Sequence, residues 1–185
     1  MGFASYQMTF RWQTNVVFLE RLAQEFPSGD KRPKIVDRRD NILMRLAAVY
    51  GGKRDFARAA EVLRTVIEER PDFAPAHNQL GETLRQAGNP LAAEASFSEA
   101  LRIDPDYCSA MNGLGVAYAQ QGRLDDAMQQ FLKVLDRHPE QQKQELVQLS
   151  ALENIAQAFR LQGKATEAEV YRQRAQQVRS TLLTH

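Results

Sequence analysis

Three prolines, Pro71, Pro105 and Pro139, stand the same 34 residues apart. Aligning the chain on them brings other columns into register: Leu46, Leu80 and Leu114; Tyr50, Leu84 and Tyr118; Ala59, Ala93 and Ala127; Leu63, Phe97 and Phe131. A fixed period of this length, with small and aromatic residues at constant offsets, marks a unit that cannot bury its apolar face alone and must stack on copies of itself. The expected product is a row of helical hairpins with a core running along the stack, not a closed globule.

The second unit shows the grammar most clearly. His77, Leu80, Gly81 and Leu84 share one face at helical spacing. Gly88 suits the left-handed residue that closes a helix, Asn89 can cap the next one, and Pro90 fits its first position, where a missing N–H costs nothing. Ala93, Phe97, Ala100 and Leu101 form the inner face of that second helix, which Pro105 ends. The third unit repeats the scheme with Met111, Leu114, Gly115, Tyr118, Gly122, Ala127, Phe131 and Val134. The first has Leu43, Leu46, Ala47, Tyr50, Ala59, Leu63 and Val66, but Arg54 occupies the glycine column, so Gly51-Gly52 is the alternative place for its turn.

Both ends depart from the period. Leu152, Ile155, Ala156, Phe159, Gly163, Ala168 and Ala175 match a fourth unit seven residues late, which is two helical turns. Its first helix is therefore expected to start near Glu140 without changing its buried face. Arg172 replaces the aromatic column, so residues 164–182 read as a solvating end cap with Arg172 facing water. At the other end, Leu19, Leu22 and Pro27 match only the second half of a unit, and Pro27 to Pro71 exceeds the period by ten residues. Phe10, Trp12 and 16–22 read as a helix covering the first unit's edge; a fragment whose upstream units were cut away would look the same. The resulting division is 1–27, N-terminal helix or half-repeat; 28–39, a polar, basic linker; repeats at 40–73, 74–107 and 108–141; and 142–185, a divergent fourth repeat and cap.

This pattern resembles the tetratricopeptide repeat, whose signature runs large residue, Leu-Gly, Tyr, then Ala, Phe and Pro. The resemblance covers residues 40–139 closely and 149–180 more loosely. It implies an all-α right-handed superhelix, or α-solenoid, of tandem helix-turn-helix hairpins. Gly81 and Gly115, opposite Ala59, Ala93 and Ala127, let paired helices approach closely, and the aromatic columns fill the space between hairpins. The resemblance further implies that the first helices line a concave surface that holds a partner. Helical spacing puts Met44, Ala48 and Gly51, then Asn78, Glu82 and Arg85, then Asn112, Val116 and Ala119, then Glu153, Gln157 and Arg160 on that surface, with Gln79, Gln86, Gln120 and Asn154 beside them. Amide side chains there can both donate to and accept from an extended peptide backbone, over an apolar floor at Val116 and Ala119. The candidate groove is Asn78, Gln79, Glu82, Arg85, Asn112, Val116, Ala119, Asn154, Gln157 and Arg160.

Some relatives in this family grip a partner's C-terminal acid with Lys, Asn and Arg. The matching columns here hold Met44, Ala48, Gln79, Ser109 and Gly113, and one repeat later Asn78, Glu82, Gly113, Ser150 and Asn154, so that clamp is absent.

Charge and composition exclude other classes. The net charge is +1, so no strong global field draws in nucleic acid or membrane, although residues 1–54 carry about +5 and the rest about −4. The one dense basic run, Lys31-Arg32-Pro33-Lys34 with Arg38-Arg39, has no aromatic interleaving and reads as a solvated linker. Cys108 is the sole cysteine, which rules out an internal disulfide and fits a reducing compartment; its column otherwise holds Ala74, a small turn residue. His77 sits in a core column, His138 precedes Pro139, and neither these nor His185 has a second ligand at metal spacing. No phosphate loop, nucleophile elbow or paired-acid motif occurs, and neither a membrane span nor a signal peptide is visible. The expectation is a cytoplasmic, non-catalytic adaptor without metal or cofactor, binding a protein or peptide. The alternatives are a homotypic assembly module using Phe10, Trp12 and Phe18 of the N-terminal helix, or an arm of a larger enzyme or exported protein.

Overall fold

The computed structural model describes residues 16–25, 33–136 and 142–182. All the regular structure among them is helical: α1 (16–25), α2 (Pro33–Gly52), α3 (Phe56–Glu69), α4 (Ala74–Gln86), α5 (Pro90–Ile103), α6 (Cys108–Gln120), α7 (Leu124–Leu135), α8 (Gln142–Leu161) and α9 (Ala165–Leu182). From α2 onward each helix packs on its neighbours in sequence, and α6 also touches both α4 and α8. The hairpins α2–α3, α4–α5, α6–α7 and α8–α9 thus stack as a solenoid in which α4, α6 and α8 form one continuous wall.

Local chemistry sets the hairpin boundaries. Asp55 and Asn89 cap α3 and α5, each accepting from a backbone N–H three residues on, Arg58 and Ala92, at 3.2 Å. The turns between paired helices pass through a left-handed residue: Gly88 at φ 82°, Gly122 at 78°, Gly163 at 76° and, in the first hairpin, Arg54 at 62°. The first turn therefore does not use Gly51-Gly52, which end α2. It keeps the same geometry as the others and forces a side chain into it.

The core runs through the seams. Phe97, Phe131, Leu63, Ile155, Val66 and Val134 are the largest fully buried side chains. A Cβ on Gly81 would lie 2.8 Å from the Phe97 ring, and one on Gly115 2.5 Å from the Phe131 ring, so both glycines admit the aromatic of their own hairpin. A Cβ on Gly113, in the following hairpin, would lie 2.5 Å from the same Phe97 ring. Each aromatic therefore locks its own hairpin, and Phe97 also locks the seam beyond it.

Of the linker expected over 28–39, residues 33–39 are helical and 28–32 lie outside the described residues. α2 begins at Pro33 and runs 20 residues, against 13 for α4 and α6. The ten extra residues are partly spent on lengthening the first helix, as the seven extra are in the 20-residue α8. Two ion pairs fix the lengthened part of α2: Arg39 to Glu69, and Arg70 to Asp40 at 2.7 Å, with Asp40 only 2% exposed. Part of the basic run is thus structural, while Lys31 and Arg32 lie outside the described residues. α1 packs Val16 and Leu19 against Ile42, Leu46 and Tyr50, whose hydroxyl donates to the Glu20 carboxylate. Phe10 and Trp12 lie outside the described residues.

Candidate protein-interaction surface

The wall of α4, α6 and α8 holds three linked cavities. The first, about 480 Å³, is lined by Asn78, Glu82, Arg85, Asn112 and Asn154, with Ser109, Ser150, Gly113, Val116 and an edge of Phe97. The second, about 250 Å³, shares Val116 and Asn154 with it and adds Ala119, Gln120, Leu124, Phe131, Gln157, Ala158 and Leu161. The third, about 550 Å³, shares Gln157 with the second and adds Arg160 and residues of α9. Nine of the ten residues expected in the groove line this path.

Gln79 is the exception. It sits in the same repeat column as Gly113 and Asn154, and its Nε2 donates to the Met44 carbonyl at 3.2 Å, tying α4 to the preceding hairpin. Met44, Ala48 and Gly51 of α2 line none of the three cavities.

The polar side chains are partly committed to each other. Arg85 forms a two-point pair with Glu82, through Nε at 2.9 Å and Nη2 at 2.6 Å, and Gln86 also donates to that carboxylate at 2.6 Å. Burial pushes the Glu82 carboxyl up, but the hydrogen bonds from Arg85 and Gln86 outweigh it and leave the group below its ordinary value. The same pairing raises Arg85 further, against its own burial. This stretch of wall is polar without a net charge to offer.

Across the seam between the third and fourth hairpins, amides form a short chain. Asn154 Nδ2 donates to Asn112 Oδ1 at 3.1 Å, and Asn112 Nδ2 donates to Ser150 Oγ at 3.1 Å. An amide has two donor hydrogens and two acceptor lone pairs, so both asparagines keep capacity for a ligand. Among the described residues no side chain bonds the amides of Asn78 and Gln157. Asn112 also carries a structural load, since these bonds stitch α6 to α8.

An apolar floor at Val116 and Ala119 is legible in the sequence, but neither Ser150 as a binding feature nor the depth of the notch beside Leu124, Phe131 and Leu161 is. With the seven-residue shift, Ser150 falls in the column of Ser109, which was the available signal. The notch needs comparison of the seams: Ala119 occupies the column of Arg85, so what a guanidinium covers in one seam stands open in the next.

The remaining singled-out residues take structural places. His77 is buried and its Nε2 lies 2.9 Å from the Pro71 carbonyl. Cys108 is the buried first residue of α6. No group of His, Cys, Asp and Glu among the described residues could hold a metal ion, and no described helix is long and apolar enough to cross a membrane.

Comparison with known proteins agrees with this geometry. A family model described as tetratricopeptide repeat matches residues 44–107 and 79–141, together more than half the chain. Cellulose synthase operon protein C of Xanthomonas axonopodis pv. citri is 39% identical over 77 residues, 42% of this chain but 5% of that protein. The probable UDP-N-acetylglucosamine–peptide N-acetylglucosaminyltransferase SPINDLY of Solanum lycopersicum is 27% identical over 106 residues, 57% of this chain and 11% of its own length. The chain thus spans a small fraction of these relatives. Among solved structures, MamA superposes with a TM-score of 0.70 at 17% identity, covering 100% of this chain and 99% of that one, a likeness of fold.

Proposed function

This chain belongs to the tetratricopeptide repeat family, and from that premise we propose that it is a protein-interaction scaffold that holds an extended segment of a partner along α4, α6 and α8. One observation carries the proposal: the three cavities adjoin, sharing Val116, Asn154 and Gln157 as lining residues, and amides with unused hydrogen-bonding capacity line the path. A peptide backbone presents alternating donors and acceptors, and the amides of Asn78, Asn112, Asn154 and Gln157 supply both. The apolar floor at Val116 and Ala119 adds burial. The reading is that of a binding surface in the cytoplasm, not of a catalyst.

The test is affinity capture from extract of the source cells with the parent protein and an Asn78→Ala/Gln157→Ala variant, compared by mass spectrometry. Both residues lack bonds to the rest of the fold, so the variant should stay within about 0.5 kcal/mol of the parent in stability. Loss of a reproducible partner supports the groove; an unchanged set of partners removes it.

A second reading rests on α1, where Val17 and Phe18 are 63% and 59% exposed beside the buried Val16 and Leu19. A self-associating module would use that face. Phe18→Asp would then dissociate the assembly in sedimentation while leaving groove binding intact. The low coverage of the enzyme SPINDLY also suits a repeat arm within a larger protein.

A further inference from the structure

The path changes chemistry along its length, and that order points to the kind of segment it fits. At the seam between the second and third hairpins, Arg85 and Glu82 occupy the wall. At the next seam Ala119 and Val116 stand in those columns, and a notch of about 250 Å³ opens among α6, α7 and α8, with Leu161 63% exposed at its rim. An apolar cavity of about 150 Å³ accommodates a benzene, so this notch has room for one aliphatic side chain.

Beyond the notch the wall turns cationic. The third cavity brings together Arg160, Arg172 and Arg179 with Glu153 and Glu169, over small residues at Ala156, Ala168 and Ala175. Both carboxylates are already taken: Arg172 pairs with Glu169 at 2.9 Å, and Arg179 with Glu153. Arg160 makes no ion pair among the described residues. From Arg160 to the end of α9 there are five Lys or Arg against two Glu. The face on α7 that carries Phe131 is covered by Ile155 and Ala151 of α8. The matching face on α9 carries Arg172 instead, exposed, and stands open as this cavity among the described residues.

We infer that the groove is selective for an acidic segment: an extended peptide with one aliphatic side chain in the notch and an Asp or Glu side chain against Arg160. The inference rests on the groove reading proposed above. Spacing follows from α8. Asn154 to Arg160 is six residues, or about 9 Å of helix at 1.5 Å per residue, which an extended chain covers in two to three residues at roughly 3.4 Å each. The amides of Asn112 and Asn154 hold the backbone, the aliphatic residue enters beside them, and the acid follows two or three residues away. The surplus positive charge at α9 is complementary to that acid, whereas the paired Glu82 and Arg85 leave nothing to attract charge at the other end.

The experiment is selection of random decapeptides, displayed as internal segments on phage, against the full chain. Enriched sequences are then synthesised with acetylated and amidated ends and titrated by fluorescence anisotropy. The expected consensus has Leu, Ile, Val or Met two or three residues from Asp or Glu. Arg160→Glu, and the acid replaced by its amide in the peptide, should each weaken binding roughly tenfold or more, since a hydrogen bond to a charged group is lost. Added salt should weaken the parent complex as well. Ala119→Arg, which puts into the notch the side chain that the preceding seam already carries, should weaken it similarly. A consensus without acids, full affinity with Arg160→Glu, or binding only to peptides with a free C-terminal carboxylate would overturn the inference. Peptides that respond to Asn154→Ala but to neither Arg160→Glu nor Ala119→Arg leave the groove standing and remove the acidic selectivity. If no selected peptide responds to any of these changes, both readings fall.

Discussion

Gly115 gives the sharpest test of how the repeats are held. An ideal Cβ on this residue would lie 2.5, 2.8 and 2.9 Å from three carbons of the Phe131 ring. Ordinary contact begins near 3.4 Å, so the ring would have to retreat by about 1 Å. It has nowhere to go: Phe131 is 1% exposed and packed among Met111, Ala127, Val134, Ala151 and Ile155. Overpacking of this kind costs about 1–3 kcal/mol. Alanine in mid-helix is favoured over glycine by about 1 kcal/mol, so Gly115→Ala should lose on the order of 1 kcal/mol net and Gly115→Leu about 3. Urea denaturation followed by far-UV circular dichroism measures both. Because repeat arrays can unfold in parts, hydrogen exchange should locate the loss in α6, α7 and α8. Trimming the ring supplies the control. In a double-mutant cycle Phe131→Leu should relieve Gly115→Ala, with a coupling of roughly 0.5–3 kcal/mol. If Gly115→Ala instead gains the full 1 kcal/mol of helix propensity, the ring is free to move and the close approach is not what holds this hairpin.

Two further outcomes follow from the turns and the wall. Arg54 holds φ 62° where the other hairpins have glycine; that conformation costs a side-chain-bearing residue about 1–2 kcal/mol, offset in part by glycine's greater freedom when unfolded. Arg54→Gly should therefore raise stability by about 1 kcal/mol in the same denaturation assay, and a loss would show that the arginine side chain does more there than occupy a turn. Glu82 has its folded-state value held below the ordinary 4.5, so its stabilising contribution is complete above that pH and disappears as pH falls through the lower folded value. Thermal melts between pH 6 and acid should show a shallower decline for Glu82→Gln than for the parent, and parallel curves would refute the assignment.

How far the sequence reveals this molecule depends on whether a residue obeys the repeat. Columns at constant offset are read by counting, and so the hairpins, the left-handed glycines at 88 and 122, and the buried Phe97 and Phe131 could all be placed in advance. Positions that break the period had to be inferred from chemistry alone, and there the inference was uneven. A basic stretch with a proline looked like a linker, yet Pro33 is suited to a helix start, and ion pairs from Arg39 and Asp40 to the end of α3 lie some 30 residues away in sequence. At Arg54 side-chain preference pointed to Gly51-Gly52, whereas stacking demanded that the turn keep its register, and the stack prevailed. Gln79 flanks the groove face by helical spacing, and the structure shows its amide donating to the Met44 carbonyl of the preceding hairpin, a contact no periodicity predicts.

The same contrast bears on the proposed groove. Residues that satisfy the repeat are mostly consumed by it: Gly81, Gly115 and the two phenylalanines fit the helices together, although both rings also line the cavities. What remains available stands where the chain departs from its own pattern. Asn154 occupies the column in which Gly113 receives a ring, so its amide is turned outward to Asn112. Ala119 replaces Arg85 and opens the notch; Arg172 replaces an aromatic and leaves a cationic hollow. These three departures fall in adjoining stretches of one wall. Stacking alone accounts for Arg172, as the polar face of an end cap; on the proposed groove reading all three departures serve one partner.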